Sequence, residues 1–233
     1  MSNENYFPIN LPSKCLVYTD VDPSKILIRT FKGKDQELIS QLTLANLNKK
    51  FLVVINNVIQ GIEASKLTSG DGKYVLMWET INSYGNNYPL KMICEFCLQD
   101  IEISIDLNTL EKKELPDNFK QPYKVKLSDS VVKLRLLTLG DEVDSFEFGK
   151  KGQPTYLYDY ALSIVDESMN ILDKVEMLRN MDVKDLNKIE SFHEQFDHGP
   201  DMETNYVCPK CGGEGKVLVP FRLSEFFRFR SRS

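Results

Sequence analysis

The chain has 233 residues, of which 42% are hydrophobic and 27% charged, a composition typical of a globular protein with a sizeable core. Its net charge of -5 argues against a protein that coats nucleic acid, because such proteins usually carry a strong basic excess. Residues 1–10 have no apolar run and the longest apolar stretch, 51–59, is too short to span a bilayer. We therefore expect an intracellular protein with no signal peptide and no membrane span.

The N-terminal region, residues 1–34, is predicted to form an arm followed by two short strands. Pro8 and Pro12 disfavour a helix, so residues 1–13 should be extended. The strands are expected at 16–19 and 26–31, because the residues between them have turn chemistry.

The first half of the body, residues 35–233, is predicted to contain helices. Asp35 can cap a helix with an apolar face, and Asp71 can cap another that Gly85 ends. The run 51–59 is consistent with either a strand or a buried helix, because its periodicity fits both. The apolar face of the first helix comprises Leu38, Ile39, Leu42 and Ala45.

From Pro89 onward, short strands alternate with later helices, which predicts an α+β fold. Strands are expected at 90–93, 101–106, 123–127, 131–137 and 216–221. A helix is expected to begin near Gly140 and another to span 183–196, whereas 155–165 and 171–178 are expected to be helical or mixed. No internal repeat is evident beyond two cysteine motifs, and these tie distant segments into one composite domain.

The two cysteine motifs predict a structural zinc site. Each has two residues between its cysteines, a spacing that lets both sulfurs face one point, and four thiolates complete a tetrahedral site. Strands on either side of each motif favour a split zinc ribbon. Gly212 and Gly213 suit the tight turn of a knuckle, whereas Leu98 follows the first motif. The predicted ligands are Cys94, Cys97, Cys208 and Cys211.

Other uses of the cysteines remain open. The motifs could be exposed thiol pairs, or one could be a redox centre, although redox pairs usually open a helix and these lie beside strands. A catalytic zinc normally keeps one open position, which four cysteines would close. The fifth cysteine, Cys15, is interpreted as a small buried hydrophobe, and the odd count favours a reducing compartment.

No catalytic constellation is evident, so we expect a protein that is not an enzyme. The two histidines, His193 and His198, are interpreted as solvated surface residues on or near a charged helix. The C-terminal tail, 226–232, alternates phenylalanine with arginine. It could stack on nucleic acid, dock into a protein partner, or pack on its own domain.

Several short motifs, in this order, resemble the T4-type bacteriophage baseplate hub assembly proteins. The family commonly has glycine at the position of Cys15, where this chain departs from it. The matching segments are Leu11-Pro12-Ser13-Lys14 with Tyr18, Asn82-Ser83-Tyr84-Gly85 with Tyr88, the first knuckle with Asp106-Leu107, Lys133-Leu134-Arg135-Leu136-Leu137-Thr138 with Asp141, Gly199-Pro200, Cys208 to Gly212, Val219-Pro220-Phe221 and Phe226-Phe227.

The resemblance implies a non-enzymatic role in contractile-tail morphogenesis, as a baseplate hub assembly factor or minor hub component. Its partners would be other phage baseplate hub or tail proteins, met in the host cytoplasm during assembly or in the virion. No small-molecule substrate or membrane is expected, and nucleic acid is an unlikely partner. The alternative is a zinc-ribbon nucleic-acid-binding or regulatory protein whose Arg228, Arg230 and Arg232 contact phosphates.

Overall fold

The computed structural model describes residues 5–43 and 47–219, and the predicted aromatic tail lies outside these residues. Its helices and strands are mixed along the chain, which confirms the α+β class. The helices are α1 Gly33–Ser40, α2 Leu47–Val58, α3 Ser69–Tyr84, α4 Leu139–Gly149, α5 Tyr156–Ser163, α6 Ile171–Arg179 and α7 Val183–Gln195. No helix in the described ranges has the length and apolar character needed to cross a membrane.

The strands form small antiparallel sheets. The strands are β1 Phe7–Pro8, β2 Leu27–Ile28, β3 Ile59–Gln60, β4 Asn87–Ile93, β5 Asp100–Asp106, β6 Lys112–Lys113, β7 Tyr123–Lys126, β8 Val131–Leu134, β9 Gly199–Pro200, β10 Glu203–Val207 and β11 Glu214–Leu218. The first three form one sheet, and the others pair as β4–β5, β7–β8, β6–β9 and β10–β11. The sheets are too small to form a single core, so the helices complete two separate ones.

The first core joins the N-terminal arm to the first three helices. Ile9 and Leu11 of the arm are buried beside Phe51, Val54 and Ile55 of α2. The base of the β4–β5 hairpin packs against the same core. Burial of these apolar side chains holds the arm onto the body.

The second core lies between β7, β8 and the last three helices. At its aromatic centre the Tyr123 ring lies tilted against those of Phe192 and Phe196, at ring-centroid distances of 5.5 and 5.0 Å. Leu178 of α6 and Ile189 of α7 are fully buried in it. The predicted helix at 183–196 is confirmed, and 171–178, expected to be helical or mixed, is helical, because the apolar stripes of both face this core.

Two predictions for the N-terminal third are corrected. Residues 16–19 form turns instead of a strand, because Lys14 and Cys15 have positive φ angles of 53° and 59° and reverse the chain. The helix capped by Asp35 ends at Ser40, so it is shorter than predicted, and Ala45 lies outside the described residues. The ambiguous run 51–59 is mainly helical and continues into β3.

A five-residue motif, Leu-Thr-x-Gly-Asp, occurs twice and was missed as an internal repeat. In both copies, at 67–71 and 137–141, the threonine hydroxyl accepts a 3.2 Å hydrogen bond from the aspartate amide at the start of a helix. The copies face each other across a bridge between Thr68 and Thr138. The Ser69 amide donates to the Leu137 carbonyl at 3.0 Å, and Leu139 donates reciprocally to Leu67 at 2.8 Å. The repeat therefore holds the starts of α3 and α4 together.

A second local pattern recurs at the starts of α1 and α4. In each, an arginine six residues before an aspartate binds it through two hydrogen bonds: Arg29 with Asp35 at 2.6 and 3.1 Å, and Arg135 with Asp141 at 2.6 and 2.8 Å. Each aspartate also accepts the backbone N–H of the residue three positions before it, at 2.8 Å. One carboxylate therefore caps a helix and balances a guanidinium, which satisfies its charge when buried.

Candidate metal centre

The two cysteine motifs lie at the tips of two antiparallel hairpins. Residues 94–99 connect β4 to β5, and residues 208–213 connect β10 to β11. The inner faces of the hairpins pack together through Ile101 and Tyr206, with partly buried apolar neighbours. This packing brings together segments more than a hundred residues apart in sequence, as the split ribbon requires.

The four predicted ligands converge. Their sulfur atoms all lie within 4.8 Å of one another, and the pairs Cys94–Cys211 and Cys97–Cys208 are each 3.9 Å apart. A tetrahedral zinc with Zn–S bonds of about 2.3 Å requires sulfur separations of about 3.8 Å. The cluster can therefore hold a metal ion, and its geometry is compatible with zinc.

The two knuckles adopt the same turn. In the first, the Leu98 amide donates to the Cys94 carbonyl at 2.9 Å, and in the second Gly212 donates to Cys208 at 2.9 Å. The carbonyl of the following residue in each turn accepts from the amide of the first cysteine: Gln99 from Cys94 at 3.0 Å, and Gly213 from Cys208 at 2.8 Å. Leu98 has a φ of 56° and Gly212 a φ of 71°, so the leucine accepts a left-handed conformation that favours glycine. The departure at Leu98 therefore leaves the turn intact.

Two glycines of the second hairpin make room for the first knuckle. A Cβ atom on Gly213 would lie 2.6 Å from Cδ2 of Phe96, and one on Gly215 would meet Oε1 of Glu95. A side chain at either position would crowd the first knuckle, so the two glycines leave room for the knuckles to approach. The sequence predicts a turn role for Gly213, but the contact role of Gly215 is visible only in the structure. The pattern Gly-x-Gly after Cys211 was the available signal.

Backbone amides point at the sulfurs and shift their acidity. The amides of Cys97 and Phe96 lower the pKa of Cys94 to about 6, and the Phe96 nitrogen lies 3.4 Å from the Cys94 sulfur. At Cys211 the Gly213 amide lowers the pKa, but the neighbouring sulfurs and burial together raise it to about 12. Four crowded thiols thus resist losing all their protons unless a cation balances the charge.

The remaining candidate residues lie elsewhere. Cys15 is in the N-terminal turn, where burial, and then Asp71, raise its pKa to about 11. It is partly buried against the first core, consistent with its interpretation as a small hydrophobe.

The prediction that both histidines are solvated is wrong. His198 is 6% exposed, with Nε2 2.7 Å from the Thr68 hydroxyl and Nδ1 3.0 Å from the Phe196 carbonyl oxygen. Burial lowers the pKa of His193 to about 4, and its ring lies 5.7 Å from that of Tyr160. The charged residues around both histidines indicated exposed positions, whereas packing of α7 shields the His193 ring, and His198, beyond the end of α7, is buried against Thr68.

The fold and the cysteine cluster define an α+β protein with a closed four-sulfur centre. Residues 11–228 match the family described as T4 bacteriophage base plate protein. The chain belongs to this family, which confirms the resemblance seen in the sequence. Membership indicates a baseplate-related structural or assembly role and interaction with other phage tail proteins. No curated protein and no solved structure matches the chain significantly.

Proposed function

We propose that this protein is a non-enzymatic baseplate hub assembly factor or minor hub component with a structural zinc ion. The observation that carries the proposal is the family match over residues 11–228, which covers both knuckles and, except for Ile9, all the buried residues of both cores. Cys94, Cys97, Cys208 and Cys211 would hold the metal. It acts in the host cytoplasm during tail assembly, and as a minor hub component it would remain in the virion.

The cysteine cluster supports a structural metal over a catalytic one. Four sulfurs fill the tetrahedral positions, so a bound ion has no position left for substrate or water. The cluster also joins two hairpins that share few other buried contacts. Zinc binding would therefore stiffen one end of the protein and hold it in a fixed shape for contacts with other tail proteins.

The test is complementation of a phage that lacks the gene, with wild-type protein and a Cys208→Ser variant. Wild type should restore complete baseplates seen by electron microscopy. A tagged copy should co-purify with baseplate or tail proteins identified by mass spectrometry. Its presence in purified virions would indicate a hub component, and its absence from them an assembly factor. Complete baseplates without the protein, or salt-sensitive DNA binding with no tail protein associated, would overturn the proposal.

Elemental analysis tests the metal separately. The wild-type protein should contain one zinc ion per chain, and Cys208→Ser should lose it. A protein purified under reducing conditions without metal would contradict the zinc assignment and leave the baseplate role to be judged by complementation.

A further inference from the structure

Tyr206 of β10 has a buried hydroxyl group without a hydrogen-bond partner among the described residues. Its side chain is only 5% exposed and packs in the small cluster between the hairpins. A buried hydroxyl that forms no hydrogen bond costs about 1–3 kcal/mol, so native proteins rarely keep one. Phenylalanine would fill the same space without this cost, which indicates a use for the oxygen.

The Tyr206 side chain lies beside the first knuckle. It belongs to the same small buried cluster as Cys94, and its Cε1 atom borders the space over Gly215 that the Glu95 and Phe96 side chains also border. A neutral phenol hydroxyl can act as a hydrogen-bond donor. Cys94 is itself fully buried, so water does not reach its sulfur.

The second hairpin is shaped to place the Tyr206 ring there. Tyr206 pairs directly with Gly215 across the β10–β11 ladder. A Cβ atom at position 215 would lie 2.9 Å from Cε1 of Tyr206, so a side chain there would crowd the ring. Gly215 thus leaves room for the ring against the first knuckle.

A four-thiolate zinc centre needs donors of this kind. Four thiolates and one Zn²⁺ carry a net charge of about -2, which is costly to bury unless hydrogen bonds reach the sulfurs. The Phe96 amide already donates to Cys94 at 3.4 Å. A hydroxyl donor would add a side-chain hydrogen bond to those that the backbone amides of the first knuckle give the Cys94 sulfur.

We propose that the Tyr206 hydroxyl is a positioning donor to the Cys94 thiolate, formed when the cluster binds zinc. This role rests on the proposed zinc site and adds a hydrogen-bond donor to it. The hydrogen bond links β10 of the second hairpin to a ligand of the first. It stabilises the thiolate charge and fixes the direction of the Cys94 sulfur, while the ring packs between the hairpins.

The test is Tyr206→Phe, which keeps the ring and removes only the oxygen. Competition with a chromophoric chelator should show zinc affinity about tenfold weaker than wild type, the lower end of the effect of outer-shell donors. In the cobalt-substituted protein, the sulfur-to-cobalt charge-transfer band should move to longer wavelength, because a thiolate without the hydrogen bond is more electron-rich. Tyr123→Phe, in the second core, is the control and should change neither property.

The stability of the metal-free protein separates a donor from a packing residue. Metal-free Tyr206→Phe should be at least as stable as metal-free wild type, because it removes an unpaired buried hydroxyl. Equal zinc affinity and an unchanged cobalt spectrum would overturn the role of Tyr206 while leaving the zinc site in place. A loss of stability in the metal-free form that accounts for the weaker binding would also overturn it. A wild-type protein that binds neither metal would overturn both proposals.

Discussion

The knuckle hairpins and the two-core body are held together by different physical means. The body buries large aliphatic and aromatic side chains in two cores, and the facing Leu-Thr-x-Gly-Asp motifs hold the two helix starts together. The buried cluster between the hairpins consists of Cys94, Ile101, Tyr206 and Cys208, and two of these are candidate ligands. So small an apolar cluster provides little stability, which explains why a metal would be needed there and not in the body.

The largest expected effect is loss of the metal site, which should destabilise the knuckle hairpins and leave the two-core body folded. Cys208→Ser should abolish metal binding and lower the free energy of unfolding by about 3 kcal/mol or more, since structural zinc binds with about 10 kcal/mol or more. Hydrogen exchange should rise in β4, β5, β10 and β11, whereas the helices of the second core keep their protection. Cys15→Ser, which removes the thiol outside the cluster, is the matched control. If Cys208→Ser retained metal, or if hydrogen exchange rose equally in the hairpins and the body, the metal would not be what stabilises the hairpins separately from the body.

The next largest effect is expected at the start of α4 in the body, where Asp141 binds Arg135 and caps the helix. Asp141→Ala removes a helix cap and leaves Arg135 without its bidentate partner, so chemical denaturation should show a loss of about 3 kcal/mol. Zinc content should stay at the wild-type level. Asp173→Ala changes an aspartate at the same helix position of α6 on an exposed face, and should cost less than about 1 kcal/mol. Similar losses of stability in both variants would show that the Asp141 contacts stabilise the body no more than an exposed aspartate at a helix start does.

The body should also set the pH dependence of stability. Burial raises the pKa of Glu79 to about 8, so the folded state holds a proton that the unfolded state releases above its ordinary pKa. Stability from this group is therefore complete in acid and falls as pH rises to about 8, at about 1.4 kcal/mol per pH unit. Glu79→Gln imitates the protonated acid and should flatten this slope.

The slope is best measured between pH 6.5 and 8. Burial lowers the pKa of His193 from 6.5 to about 4, so this histidine contributes stability at higher pH that is lost only as pH falls through that range. The exposed Glu176→Gln serves as the control. An unchanged slope in Glu79→Gln would show that this carboxyl group does not titrate as its burial requires.

The smallest effect is expected from the left-handed residue of each knuckle, which is a leucine in the first and a glycine in the second. Leu98 is 77% exposed and gains little from packing, yet it adopts the left-handed conformation that Gly212 adopts without strain. Leu98→Gly should therefore raise the melting temperature slightly, by an amount equivalent to about 1 kcal/mol. Gly212→Ala should lower the stability by a similar amount. A loss in Leu98→Gly would mean that the leucine side chain stabilises the first knuckle.

Sequence patterns predicted correctly those helices and strands that bury one face and expose the other. The apolar stripe of α7 and the alternation in β5 each identified an element correctly, because one face of each is buried. The run 51–59 stayed ambiguous, since a segment that is apolar on most sides fits a helix or a strand. Residues 16–19 were misassigned because the positive φ angles at Lys14 and Cys15 are not encoded by glycine.

The sequence by itself determined the four candidate ligands, since two residues between cysteines place both sulfurs on one side of a turn whatever the surrounding fold. It also determined the family, through short motifs kept in order. Only the tertiary structure decided that the two knuckles meet, that His198 is buried against Thr68, and that Tyr206 packs with Cys94 between the hairpins. These contacts join residues far apart in the chain, so they depend on how hairpins and helices pack and leave no periodic signal in the sequence.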